Sequence, residues 1–518
     1  MECAGYAGHS FAAHDKFAVN RLEFYLGQLI KRNPLSATTK AFLIITRKTL
    51  PLGKLHFFQS LILFLIVLIG STTNGQTAKP GIKVTVSLPE TLRVEIRFSQ
   101  PVRTLSFLDS YAGAIGLGQR IDEFRASVPL KVVAPGEVRA EHDVAELSYR
   151  IRLPLSPRAA HVSWLARDSG LLQLADLVPT DLAYNDVDIS FDVPDGWRIY
   201  SSEAANGSGS YFVRNPSKAA FLIGSDVKSI SRRVEGTAGL DVAVVGNLPF
   251  KEQRAASGAE RVLKKYVELT RFRLPAAANL IIATAPLARG EKWQAETRGT
   301  TVVLIFDPKA SFKNWVAQLE VILTHEFLHL WVPNALRLEG DYDWFFEGFT
   351  LYQALLTALE LKLISFDEYL NTLARVYNSY QSYVDTLSLI EASEQRWTAV
   401  GSPVYDKGML VAFLYDLEVR HYTHGQSNLS GRYAELFRKY AGKTVDANEA
   451  IMSVLMLSPT IDSLLKSYVQ NRRTVDLQEP LQRFGISVQP ADTPTRLRVA
   501  TGLTDEQLRI LRSIGYGR

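Results

Sequence analysis

From Ile82 onward apolar residues take every second place: Ile82, Val84 and Val86, then Leu92, Val94, Ile96 and Phe98 in "IKVTVSLPETLRVEIRF". Side chains along a strand point alternately to opposite faces, so this pattern predicts half-buried strands. The alternation recurs in "ELSYRIRLPL" and "VDISFDVPDGWRIYS", with Pro and Gly between, and residues 78–240 read as an all-β region in which no catalytic constellation stands out. Mixed texture follows, with a strand in "LDVAVVGNL", a helix in "EQRAASGAERVLKKYVELTRF", and strands in "ANLIIATAP" and "GTTVVLIFD". From there the period is helical. "SFKNWVAQLEVILTHEFLHLW" runs to Pro333, "WFFEGFTLYQALLTALELKL" follows, and "SFDEYLNTLARVY" opens on a capping box of Ser365 and Glu368. Further helices are predicted at 405–421, 430–441, 460–470 and 504–514.

Composition narrows the function classes. A 518-residue chain that is 47% hydrophobic suits several globular cores. Lys and Arg exceed Asp and Glu only by 58 to 53, and no basic block or aromatic-basic ladder appears, so no nucleic-acid partner is expected. The lone cysteine, Cys3, cannot pair within the chain, which leaves His and carboxylate as the ligands for any metal. Residues 55–70, "LHFFQSLILFLIVLIG", are preceded by Lys48 and Lys54 and followed by small polar residues, the layout of a signal peptide or an uncleaved membrane anchor. The protein is therefore expected to be exported, periplasmic or extracellular, with anchoring through 55–70 left open. Residues 1–49 read as an extension from a start site placed too early, or as a cytoplasmic leader before an anchor.

The chemistry concentrates in "VILTHEFLHLWVPNALRLEGDYDWFFEGFTLY". His325 and His329 stand four apart on a helix, so both imidazoles project from one face and can share an ion, with Glu326 beside them. An isolated histidine on an apolar helix is ordinarily a satisfied core residue; two at this spacing around a glutamate fit a metal site better. Zinc in a hydrolytic site needs a third protein ligand and an open position. Glu347, set among aromatics in "DYDWFFEGFTLY", supplies one, because coordination removes the cost of burying its charge; a carboxylate stabilised by the start of a helix is the plainer alternative. Asp341 and Asp343 are further ligand or supporting candidates in the loop. One zinc per chain on His325, His329 and Glu347 would acidify water, with Glu326 taking its proton as the water attacks a carbonyl. The reaction class is metal-assisted hydrolysis.

"HEFLHLW", "WFFEGFTLY" and the later "VYDKGMLVAFLYDLEVR" together resemble the glycyl aminopeptidase family of gluzincin zinc metallopeptidases, related more distantly to aminopeptidase N. The resemblance covers roughly residues 180–490 and is strongest over 320–420. It implies a β domain followed by a thermolysin-like α/β zinc catalytic domain and a helical region, which matches the order read from the residues and gives a multidomain chain: an extension (1–49), a signal peptide or anchor (50–75), a β-rich domain (78–240), the catalytic domain (241–395), a helical domain (396–490) and a tail (491–518). It carries over His325, His329 and Glu347 as zinc ligands and Glu326 as base. It also implies that Tyr405, in "YDKG", donates to the oxyanion, where the residue alone could be a plain helix-start aromatic. The family's "GGLEH" stretch, whose glutamate holds the substrate's free amine, has its counterpart in "KWQAETRGT" with Glu296 aligned and both glycines replaced. The PDZ domain common in the family has no counterpart in "TPTRLRVATGLTDEQLRILRSIGYGR". The expected activity is a zinc aminopeptidase acting on peptides with small N-terminal residues. A zinc endopeptidase, another zinc hydrolase, or a binding protein with a vestigial zinc site are the alternatives.

Overall fold

A computed structural model of the chain describes residues 79–207, 209–396, 403–489 and 494–517. The expected extension and the signal or anchor segment, 1–75, lie outside the described residues, as does Cys3. Among the described residues no helix is long and apolar enough to cross a membrane.

The alternating segments form the strands they predict. Gly81–Ser87 pairs antiparallel with Thr91–Ser106, Ile82 facing Ile96 and Val84 facing Val94, inside an eight-stranded sheet. A four-stranded sheet of Arg198–Ser201, Ala220–Gly224, Ser169–Gln173 and Trp164–Leu165 lies against it. Between the two runs a core that joins Val84, Val94, Ile96 and Tyr149 to Leu172, Phe221 and Ile223.

A five-stranded sheet orders its strands Lys228–Arg232, Leu240–Val244, Ala278–Thr284, Thr301–Phe306 and Trp293–Arg298, with the middle three parallel and both edges antiparallel. Because Lys228–Arg232 pairs into this sheet, the mixed region begins before residue 240, earlier than its sequence texture suggests. The central strands read as unbroken apolar runs for a physical reason: both faces are covered. Leu280, Ile282 and Leu304 pack under the helices, while Ile281, Val303 and Ile305 pack against Trp164, Leu171 and Leu222 of the four-stranded sheet.

The helical predictions hold to within a few residues. The capping box forms as read, Glu368 N donating to Ser365 Oγ at 3.2 Å and Ser365 N to Glu368 Oε2 at 2.8 Å. Helices Pro403–Tyr422, Leu429–Tyr440 and Asp505–Ile514 occupy the expected places. One core runs from the five-stranded sheet through the helices to Leu497 and Leu511, so residues 494–517 are packed onto the rest of the chain. Arg496–Val499 pairs with Ile486–Gln489, and the last helix packs Ile510, Leu511 and Ile514 inward.

Candidate metal centre

Asn314 opens the helix Trp315–Glu326 by accepting the N–H groups of Val316 and Ala317 at 3.2 and 3.1 Å. The helix breaks at Phe327 and resumes as Leu328–Trp331. This turn keeps His325 and His329 on one face, their Nε2 atoms 3.0 Å apart. Glu347 comes from the next element, a π-helical turn Trp344–Phe349 that leads into the helix Thr350–Glu360. Its Oε2 stands 3.7 Å from each histidine Nε2. The three ligand atoms lie within 4.8 Å of one another.

These donors fit a metal ion. His329 Nδ1 lies 3.0 Å from the carbonyl of Val332, and donating there leaves Nε2 with a lone pair. Burial, then the neighbouring His329, pushes His325 well below the ordinary imidazole range, which favours its neutral form. Buried His325 Nδ1 has no hydrogen-bond partner. Two imidazole nitrogens and a carboxylate oxygen converge, a donor set that suits a cation.

Glu326 is 8% exposed on the same helix. Burial pushes its carboxyl above the ordinary range, against the influence of His329 and of Thr297, whose Oγ1 lies 2.7 Å from Glu326 Oε2. Thr297 belongs to the edge strand Trp293–Arg298, so that strand is held beside the centre.

Glu296 precedes it on this strand, and its oxygens already have partners. Oε1 accepts from Arg298 Nε at 2.9 Å and from the Tyr111 hydroxyl, and Oε2 lies 2.7 Å from His161 Nδ1. Burial favours the neutral acid, but His161 and Arg298 outweigh it and hold Glu296 below the ordinary carboxylate range. Tyr111 and His161 come from the β-rich region, which therefore contributes to the site although its sequence shows no catalytic pattern.

Tyr405 approaches from the helix Pro403–Tyr422, and this placement is set by two glycines. A Cβ on Gly348 would stand 2.5 Å from Gly408 Cα, and one on Gly408 would stand 2.9 Å from Gly348 Cα. The backbones touch, which brings the turn carrying Glu347 against the helix carrying Tyr405. Lys407 is wholly buried on that helix, donating to Leu387 O at 2.6 Å and lying 2.8 Å from Asp385. Tyr405 is 36% exposed, yet partial desolvation of its phenol, then Glu347, pushes it above its usual value in spite of Arg396, so it keeps its proton.

No family model matches the chain, and no curated protein matches it. Its structure is similar to that of an aminopeptidase N family protein from Idiomarina loihiensis, at 17% identity over 79% of each chain with a TM-score of 0.66. This chain has the fold of the aminopeptidase N family. It is also similar to an M1 zinc metallopeptidase from Deinococcus radiodurans, at 14% identity over 77% of this chain and 95% of that one, with a TM-score of 0.49.

Within this fold His325, Glu326, His329 and Glu347 come together, Tyr405 joins them through its neighbour Arg396, and Glu296 stands one residue from the strand's contact with Glu326. Asp343 stands outside the metal-ligating group and pairs with Arg396, and the backbone carbonyl of Asp341 accepts from Asn448. Arg396, Tyr111, His161 and Arg298 are the members that the motifs do not announce.

Proposed function

We propose that the chain is a zinc metallopeptidase that hydrolyses peptide bonds, working from the free amino end of its substrate. The observation that carries this reading is the convergence of two neutral-capable imidazoles and a carboxylate within 4.8 Å, with the buried Glu326 next to them. Zinc, when bound, would supply an acidified water and polarise the scissile carbonyl. Glu326 has the role of base: burial raises its affinity for the proton it takes, and Thr297 holds the carboxylate in place. Tyr405 keeps its proton and has the role of donor to the carbonyl oxygen as charge develops there. The apolar segment 55–70 extends the reading to an enzyme exported from the cytoplasm. Elemental analysis of the purified protein is expected to give about one zinc per chain, and a panel of aminoacyl reporters is expected to be hydrolysed. Protein that neither binds zinc nor cleaves any reporter would overturn the reading.

Tyr405→Phe keeps the ring and its packing and removes only the hydroxyl. Zinc content is expected to stay unchanged while kcat falls by about 10²-fold, the scale for one lost oxyanion donor. KM is expected to move little, since this donor acts mainly on the transition state. Steady-state kinetics giving a near wild-type kcat would take the phenol out of the mechanism.

Attack from the amino end rests on Glu296 as the anchor for a free amine. A second reading, an endopeptidase, is favoured by one observation: Arg298, His161 and Tyr111 already engage both Glu296 oxygens. Three of the roughly four acceptor sites of the carboxylate are taken, so an incoming ammonium would have only the remaining position on Oε2 and would sit close to a guanidinium. The two readings separate on paired reporters, one with a free amine and one N-acetylated. If Glu296 anchors the amine, Glu296→Ala lowers cleavage of the free-amine reporter by roughly 10- to 100-fold relative to the acetylated one. Because both rates come from one sample, their ratio is insensitive to any loss of folded protein. Equal wild-type activity on both reporters would select the endopeptidase.

A further inference from the structure

Arg396 reaches the centre from an element that none of the motifs includes. The short helix Leu389–Glu394 opens with its own capping box, Ser388 N donating to Glu391 Oε2 at 2.9 Å and Glu391 N to Ser388 Oγ at 3.2 Å. Ser393 Oγ on this helix accepts the backbone N–H of Trp344 at 2.9 Å, which ties it to the start of the π-helical turn. Arg396 follows and lays its guanidinium on that turn. Nη2 donates to Glu347 Oε1 at 2.7 Å and to Tyr405 Oη at 2.8 Å, and Nη1 donates to Asp343. The guanidinium carbon lies 5.3 Å from the Phe346 ring centre and 5.6 Å from that of Tyr405, so two aromatic rings flank the cation.

One nitrogen therefore serves both the metal-ligating carboxylate and the phenol. The two oxygens of Glu347 are divided, Oε2 toward the histidines and Oε1 toward Arg396. The last torsion of a glutamate is soft, so a carboxylate that must present one chosen oxygen needs an outside restraint, and the fork supplies it through charge-assisted bonds. At Tyr405 the same nitrogen donates into the phenol oxygen. That bond directs the phenol's own proton elsewhere and draws electron density from its O–H, which makes the hydroxyl a stronger donor.

We propose that Arg396 is a positioning residue that couples the two halves of the site, orienting Glu347 for the metal and polarising the Tyr405 hydroxyl for the oxygen that gains charge. The inference rests on the zinc-peptidase reading above. Removing a hydrogen-bond partner of a metal-ligating carboxylate weakens metal affinity by about 10- to 100-fold in comparable sites, and Arg396→Gln is expected to do so here. Zinc affinity is read on the full chain by equilibrium competition with a chromophoric chelator, in samples matched for folded fraction by circular dichroism. With zinc saturating, Arg396→Gln is expected to lower kcat about 10-fold, a part of the loss that removing the phenol's hydroxyl produces.

The deciding measurement is the double variant. If Arg396 acts on kcat through Tyr405, adding Arg396→Gln to Tyr405→Phe lowers kcat by no more than about 2-fold further, because the hydroxyl it acts on has gone. The loss of zinc affinity is expected to be the same in both backgrounds. Multiplied kcat losses would overturn the action on the phenol, and an unchanged zinc affinity would overturn the action on Glu347. Should Arg396→Gln not fold, Arg396→Lys carries the same two readouts, since it keeps the charge and loses the planar fork. A wild-type chain that binds no zinc would instead count against the function proposed for the centre, whereas wild-type binding matched by Arg396→Gln counts against this inference alone.

Discussion

Replacing His325 and His329 together by Ala is expected to abolish zinc binding and activity at once. The two imidazoles supply two of the three converging atoms, and Glu347 alone leaves a single carboxylate oxygen, too few for a zinc ion that takes three protein ligands in hydrolytic sites. Folding is expected to survive. The helix keeps its Asn314 cap, and Leu323, Phe327, Leu328 and Trp331 stay buried beneath it. The variant also removes the close approach of two Nε2 atoms, 3.0 Å apart, which stabilises nothing without a proton or a cation between them. Elemental analysis after extensive dialysis decides the point. Zinc retained in the double variant would mean that a different set of side chains holds it.

Glu326→Gln is expected to keep the zinc and lose about 10²- to 10⁴-fold in kcat, the range for a positioned general base. The amide matches the carboxylate in shape, and its oxygen can still accept from Thr297, now 2.7 Å from Oε2. What it lacks is a place for the proton. Burial already disfavours charge at this position, so the neutral variant is expected to melt at the wild-type temperature or above it. Loss of metal in this variant would show that Glu326 is a ligand, and near wild-type turnover would show that another group takes the proton.

Much of this molecule can be read from its chain because its strongest signals are local. Alternation from Ile82 to Phe98 and apolar runs such as "TVVLIF" are consequences of one- and two-sided burial, and each lies within a few residues. His325 and His329 are related by a single helical turn, and Glu347 shows itself as a carboxylate among aromatics. The rest depends on contacts between distant segments. Tyr111 meets Glu296 across 185 residues and His161 meets it across 135, and neither residue sits in a pattern that marks it. Arg396 follows a short helix whose sequence is ordinary; only its position under Trp344 gives it a role. The strand Trp293–Arg298 was readable as the "WQAETR" motif but not as a strand, since as an edge its alternation is weak. The boundary near 240 was misplaced for a related reason: Lys228–Arg232 has the exposed texture of an edge strand, and nothing in its composition tells which sheet it joins.

The contact between Gly348 and Gly408 has a consequence for how the site meets its dimensional tolerance. Catalytic groups on separate elements ordinarily inherit the play of the side chains packed between those elements, and rotamer changes there shift the groups by a good part of an ångström. Here nothing flexible lies between the turn that carries Glu347 and the helix that carries Tyr405, because backbone rests on backbone. The spacing of the two backbones that carry Glu347 and Tyr405 is therefore set by covalent geometry and atomic radii, the least variable lengths a protein has, and Arg396 is left to fix only the side-chain torsions beyond them. That spacing is fixed when the chain folds, before any ion or substrate arrives, so the backbone's share of the reorganisation that would otherwise fall within each turnover is completed once, during folding.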